Sequence, residues 1–189
     1  AAGRIVGIES HSSWKEAVNK YTDAQKMGEE MDLALPVPET FSNGYTFQSA
    51  LPVHASGQDE EGNSVKEWTG MDLIYQKEGQ PNMNINVEQA QEAEGYAAGD
   101  ENFDYNGIQL SYSKEHYRFV PPDYQVSEEE QAQMDAGELV ISYGSPEVED
   151  SEIQSLNWQT DGISYGLMIF DSTITPAELV QMAEEMIEQ

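Results

Sequence analysis

Hydrophobic and polar positions are most clearly organised in the last third of the chain, where two apolar runs between Ser155 and Phe170 flank the dipeptide Asp161-Gly162. Asp-Gly tolerates the positive φ angles of a two-residue turn, so this segment reads as a β-hairpin. Thr175, Pro176 and Glu178 follow, ahead of Leu179. A threonine that can cap, a proline at the first helical position and a glutamate that can reach back predict a closing helix. Trp158, Tyr165 and Phe170 are the bulky packing groups of this unit, which contains no catalytic group.

Upstream, the same pattern predicts further elements. Ser13 and Glu16 have capping-box spacing, and Trp14, Val18, Tyr21 and Gln25 recur at helical intervals, so a helix is expected from Ser13 to about Met27, ended by Gly28. Leu33 to Pro38 cannot continue it, because Pro36 and Pro38 lack amide donors and bias their predecessors toward extended geometry. That stretch reads as an apolar crossing segment. Strands are expected at Tyr45–Val53, Trp68–Tyr75, Met83–Val87 (in strict alternation), Ile108–Tyr112, Tyr117–Val120 and Leu139–Tyr143. Ser127 opens a short acidic helix ending near Gly137, while Glu88 to Asp104 reads as loop or weak helix. The resulting expectation is an α+β fold: an antiparallel sheet of about seven strands with N-terminal and C-terminal helices packed on one face.

Composition narrows the class. With 189 residues the length suits one domain, taken as residues 14–189, and residues 1–13 read either as a trimmed linker or, through Ile5, Val6 and Ile8, as a first strand. Eight basic against 36 acidic residues give a formal charge of −28, which disfavours nucleic acid and anionic lipid as partners. The chain has no cysteine, so disulfides, thiolate catalysis and cysteine metal sites are excluded. No apolar run reaches the roughly 18 residues of a bilayer span, so any membrane association would run through a tether outside this chain.

Candidate chemistry is sparse. Asp100, Asn102, Asp104 and Asn106 place oxygen ligands at alternate positions before Gly107, as the start of a calcium loop does. Counted from Asn102, however, the twelfth position is Ser113 where a bidentate glutamate is needed. The four are therefore candidate ligands of a weak calcium site; no other cofactor is implied. His11, His54 and His116 have no zinc-binding spacing. Nucleophile elbows and phosphate loops are absent, and with 36 acids the spacing of any two carries almost no information, so an enzyme is not expected. Most aromatics lie in alternating strands, where they are ordinary packing residues; a carbohydrate-binding or carbohydrate-active face is the alternative. The acidic runs Glu128–Glu130 and Glu147–Glu152 read as solvated faces or docking surfaces for a basic partner.

Several pieces also resemble a known family. Ala24-Gln-Lys-Met-Gly28, then Leu33-Ala-Leu-Pro36 and a turn into Tyr45, are similar to its opening. Leu156-Asn-Trp158, Asp161-Gly-Ile-Ser-Tyr165 and Thr175-x-x-Glu-Leu179 through Ile187 are similar to its closing motif. The family is a Gram-positive domain of unknown function that forms the extracytoplasmic C-terminal part of anti-sigma-factor-like membrane proteins and lipoproteins. The resemblance spans residues 14–189, with Glu88–Asp104 and Pro121–Gly137 departing as insertions. It implies a non-enzymatic, extracytoplasmic sensor or interaction domain on a membrane-anchored or lipid-anchored protein, meeting an envelope ligand or protein partner. No catalytic residues are carried over from it.

Overall fold

A computed structural model describes residues 5–91 and 99–189. Strand β1 (Gly7–Ser12) leads through a single 3-10 turn at Trp14–Glu16 into helix α1 (Tyr21–Glu30). Three long antiparallel strands follow: β2 (Thr46–Gln58), β3 (Ser64–Gln76) and β4 (Met83–Gln89). Next come β5 (Glu101–Tyr105), β6 (Ile108–Val120), helix α2 (Glu128–Asp135) and β7 (Val140–Tyr143). The chain closes with β8 (Glu149–Thr160), β9 (Ile163–Phe170) and helix α3 (Pro176–Ile187). All nine strands join one sheet in the order β1-β2-β3-β4-β9-β8-β6-β5, with β7 beside the far end of β6.

This overturns the expected α+β architecture. The protein is mostly β: among the described residues the sheet has nine strands rather than about seven, it is mixed because β7 runs parallel to β6, and it curls into a half-barrel with only three short helices. The differences have local causes. Strands β2 and β3 continue through polar residues such as Gln58, Ser64 and Lys66, which carry little apolar signal. The two short runs expected around Ile108 and Tyr117 are one thirteen-residue strand, and Glu101–Tyr105 pairs with it from within the acidic stretch. Residues 92–98 of that stretch lie outside the described residues. The first helix begins later than its spacing suggests, at Tyr21 after Lys20, because Val18 forms an isolated bridge with Ala50 and Ser13 makes no capping bond.

Period two divides the sheet into unlike faces. On one, Met71, Leu73 and Tyr75 of β3, Met83, Ile85 and Val87 of β4, Tyr165, Leu167 and Ile169 of β9, and Leu156 and Trp158 of β8 form the core. Helix α3 closes over it with Leu179, Met182, Ala183 and Met186, and Ala24 of α1 joins the same cluster. Leu33 and Val37 of the proline-rich crossing are fully buried there. The prolines cannot donate, but the carbonyl of Pro38 accepts from the Tyr75 hydroxyl at 2.7 Å. The hairpin turn holds Asp161 at φ 52° and Gly162 at φ 77°, and across it Trp158 stacks on Tyr165 with centroids 5.5 Å apart. No helix among the described residues is long and apolar enough to cross a membrane.

The segment carrying α2 is latched by charge. Ser127 and Glu130 form a full capping box, and the Glu130 carboxylate also accepts from Tyr124 and from Arg118 at 2.6 Å. Arg118 donates its remaining hydrogen bonds to both oxygens of Asp150 on β8, at 2.7 and 3.1 Å.

Two predictions follow from this packing. Trp158→Ala removes a buried, stacked ring and should cost about 3–5 kcal/mol, read as a lower thermal midpoint; an unchanged midpoint would remove Trp158 from the core. The Ser127 amide, the Tyr124 hydroxyl and Arg118 pull the Glu130 carboxyl down from 4.5 to about 2. A carboxylate depressed in this way stabilises the fold fully above its unfolded pKa. The latch should therefore loosen as pH falls from about 4.5 toward 2, seen as rising amide exchange in α2, and Glu130→Gln should abolish that dependence.

Candidate functional site

The other face of the sheet is the unusual one. Alternate residues of β4, β9, β8 and β6 point away from the core, and register aligns them in transverse rows. One row runs Asn102, Ser111, Asn157, Gly166, Asn86 and Asp72 across β5, β6, β8, β9, β4 and β3. A second runs Gln159, Ser164, Glu88 and Gly70. A third begins Ser113, Ser155, Met168 and Asn84. Neighbouring strands lie about 4.8 Å apart, so the first row spans roughly 24 Å.

A cleft of about 390 Å³ sits over the middle of these rows, lined by Asn86, Glu88, Gln109, Ser111, Ser113, Asn157, Gln159, Ser164 and Gly166, with the core residues Trp158 and Tyr165 also bordering it. Gly166 is its floor. A Cβ there would meet Asn157 Oδ1 at 2.7 Å, so the missing side chain lets Asn157 lie across β9. Gly70 acts likewise beside Glu88: a Cβ would meet the Glu88 Cβ at 2.8 Å. Glu88 therefore leans over β3, where the Trp68 indole N–H donates to its Oε2 at 3.3 Å. A second cavity of about 460 Å³ continues over β3 and β2 toward β1 and shares Asn86 and Glu88 with the first.

The electrostatics of the cleft differ from those of the rest of the chain. Among the described residues, Glu88 is its only carboxylate, in a protein with 36 acids. Burial pushes the Glu88 carboxyl above the usual carboxylate range; the Trp68 N–H opposes that shift and the charge of Asp72 adds to it. Asp72 itself is occupied, accepting from Ser12 Oγ at 3.2 Å and Asn86 Nδ2 at 3.0 Å. Ser164 is 7 % exposed, and its Oγ has no hydrogen-bond partner among the described residues although it lines the cleft. A buried hydroxyl without a partner is uncommon enough to need a reason.

The proposed calcium ligands fall elsewhere. Asn102 and Asp104 lie on the edge strand β5, Asp100 precedes it, and Asn106 occupies the β5–β6 turn at φ 51°. Extended backbone spreads them instead of wrapping them around an ion, and local donors engage three of the four. Asp100 accepts from the Lys114 amide, Asn102 Oδ1 from Ser111 Oγ, and Asp104 from the Gly107 amide and Gln109 Nε2. Among the described residues no three acidic or histidine side chains gather to hold a metal. His116 lies 3.5 Å from Asp150, and His11 and His54 face each other between β1 and β2, all away from the cleft.

The polar cleft residues were not singled out by sequence reasoning, which named only Trp158 and Tyr165 of the cleft lining, as packing groups. Their signal is present nonetheless: the polar positions of Met83–Val87, Ile108–Ser113 and Ser155–Gln159 are amides and hydroxyls where this chain elsewhere uses aspartate and glutamate. Compared with protein-family models, with curated proteins and with solved structures, the chain finds no match.

Chemically the cleft offers many neutral donors and acceptors and one acid. A carboxyl whose folded pKa stands above its unfolded value favours folding only when protonated. Glu88→Gln should therefore raise the thermal midpoint at neutral pH, while keeping an acceptor for Trp68. The gain should vanish as pH falls below the unfolded value near 4.5. A midpoint lowered at neutral pH would mean that Glu88 serves the fold rather than the cleft.

Proposed function

We propose that this protein is a non-enzymatic binding domain that works outside the cytoplasm on a membrane-anchored or lipid-anchored Gram-positive protein, presenting its uncovered sheet face to an envelope ligand as sensor or interaction module. The observation that carries the binding role is the acid-poor polar cleft, set into an otherwise acidic chain and holding a Ser164 hydroxyl that has no partner among the described residues. The extracytoplasmic setting rests on the resemblance of the opening and closing segments, and the absence of cysteine is compatible with it. A binding rather than catalytic role is supported by the state of the two carboxylates and of Ser164. Asp72 is committed to Ser12 and Asn86, Glu88 accepts from the Trp68 indole, and among the described residues no histidine lines the cleft to serve Ser164 as a base.

The test is an amide chemical-shift map during titration with a soluble digest of Gram-positive cell wall. Shifts should concentrate at Asn86, Glu88, Asn157, Ser164 and Gly166, and mass spectrometry should find the digest unaltered after incubation. Shifts confined to α2 and Glu147–Asp150, or no shifts at all, would overturn the assignment of the surface. New cleavage products would overturn the non-enzymatic reading.

A further inference from the structure

We infer that the cleft is a subsite for a neutral, linear oligosaccharide, with Glu88 and Ser164 engaging adjacent hydroxyls above Gly166 and with Asn86 and Asn157 on either side of them. This deepens the reading of the cleft as a binding surface and rests on it.

Charge eliminates the first alternatives. An anionic ligand would meet a chain of formal charge −28 and, at the cleft itself, Glu88 with no lysine or arginine beside it. A cation would find denser carboxylates almost anywhere else, because this is where acids are thinned out. An apolar ligand would leave amides and hydroxyls without partners, at a cost for each. What remains is a neutral group that gives and takes hydrogen bonds at once. A sugar hydroxyl does this, and side-chain amides and serine hydroxyls are its matching partners. Glu88, whose Oε2 already accepts from Trp68, adds Oε1 as an acceptor for hydrogen bonds from ligand hydroxyls.

The position within the sheet separates a saccharide from a peptide. Extended peptides dock on sheets by adding a strand to an edge, where backbone groups are free. The cleft lies over β4, β9 and β8, which are paired on both sides, so their backbone offers a peptide nothing to extend. Recognition here must use side chains standing on the face. The row from Asn102 to Asp72 crosses six strands, and the two cavities that meet at Asn86 and Glu88 continue across it. That shape suits a chain of sugar rings better than a single ring.

Ser164 supplies the independent mark of a ligand. Ser164 is 7 % exposed and lines the cleft, and its Oγ is shielded from solvent with no partner among the described residues, a cost that a bound hydroxyl reaching it would remove.

The experiment titrates the full chain with maltohexaose, cellohexaose and chitohexaose, followed by calorimetry and by amide shifts. At least one hexaose should bind, with shifts at Glu88, Ser164 and Gly166. Ser164→Ala removes a single oxygen and should weaken binding about 3- to 10-fold. Gly166→Val should abolish binding by turning Asn157 into the cleft, with its fold checked by the near-ultraviolet signal of the Trp158–Tyr165 stack. Should Gly166→Val fail to fold, Ser164→Ala and Asn157→Ala still decide the matter. No binding by any of the three at about 10 mM, far weaker than a useful site, combined with cell-wall digest shifts at the same residues, would overturn the saccharide class and leave the surface assignment standing. If those shifts trace to peptide fragments of the digest, the occupant is a peptide and the inference falls. Hexaose binding untouched by Ser164→Ala and Gly166→Val would place the sugar elsewhere and overturn it too.

Discussion

The strict alternation of β4, β9 and β8 fixes everything else in this molecule. Ile85, Leu167 and Leu156 go to one side; Asn86, Gly166 and Asn157 go to the other. A slip of one residue in any of these strands would put amides beneath α3 and aliphatic side chains in solvent. Each fully buried aliphatic or methionine side chain is worth about 1.5–3 kcal/mol, so a slipped register is far out of reach. Helix α3 enforces the same choice. A twelve-residue helix is marginal alone, and it persists because Leu179, Met182, Ala183 and Met186 have the curled sheet to fill. The core thus decides which residues face the cleft, which Trp158 and Tyr165 of the core also border.

That coupling explains how a site can exist on a sheet without loops to build it. β4 and β9 lie in the interior of the sheet, so their backbones are held from both sides and the side chains on the open face stand at fixed intervals. Small residues then shape the surface: Gly166 provides room for Asn157, and Gly70 for Glu88. The site carries a local cost. Glu88 is partly buried as a charge with a second carboxylate near it, and Ser164 lacks a partner among the described residues. Groups that work against folding in this way are expected where a protein gives up stability for recognition.

The elements with strong local chemistry were legible in the sequence. Asp161-Gly162 makes its turn, Ser127 and Glu130 make a capping box, and Thr175 caps α3 through the Glu178 amide. Elements defined by their neighbours were not. β5 is acidic and polar, and only its pairing with β6 makes it a strand. Ser13 and Glu16 have the spacing of a cap, yet the Val18–Ala50 bridge overrides it, as tertiary contacts commonly override propensity. The cleft falls between these cases. Asn84 and Asn86, Ser111 and Ser113, and Asn157 and Gln159 are written as alternations in three separate strands, but nothing local says that these strands become neighbours. Asp100 to Asn106 attracted attention for the opposite reason: a spacing that looked like a loop was an extended edge strand and its turn.

The acidity of the chain and the scarcity of acids in the cleft make sense together. A formal charge of −28 opposes the approach of other anionic surfaces within a distance set by the Debye length, about 8 Å at physiological salt. It exerts no net pull on an uncharged ligand. A saccharide would reach the face unsteered, and selection would then depend on the fit of hydroxyls to amides and serines at contact range, where unmatched groups are costly. Acids beyond Glu88 within the cleft would undo this by attracting cations to the very groups that must stay open for hydroxyls. On this account the thinning of carboxylates along the face of β4, β9, β8 and β6 is as much a part of the binding surface as the amides and serines that replace them.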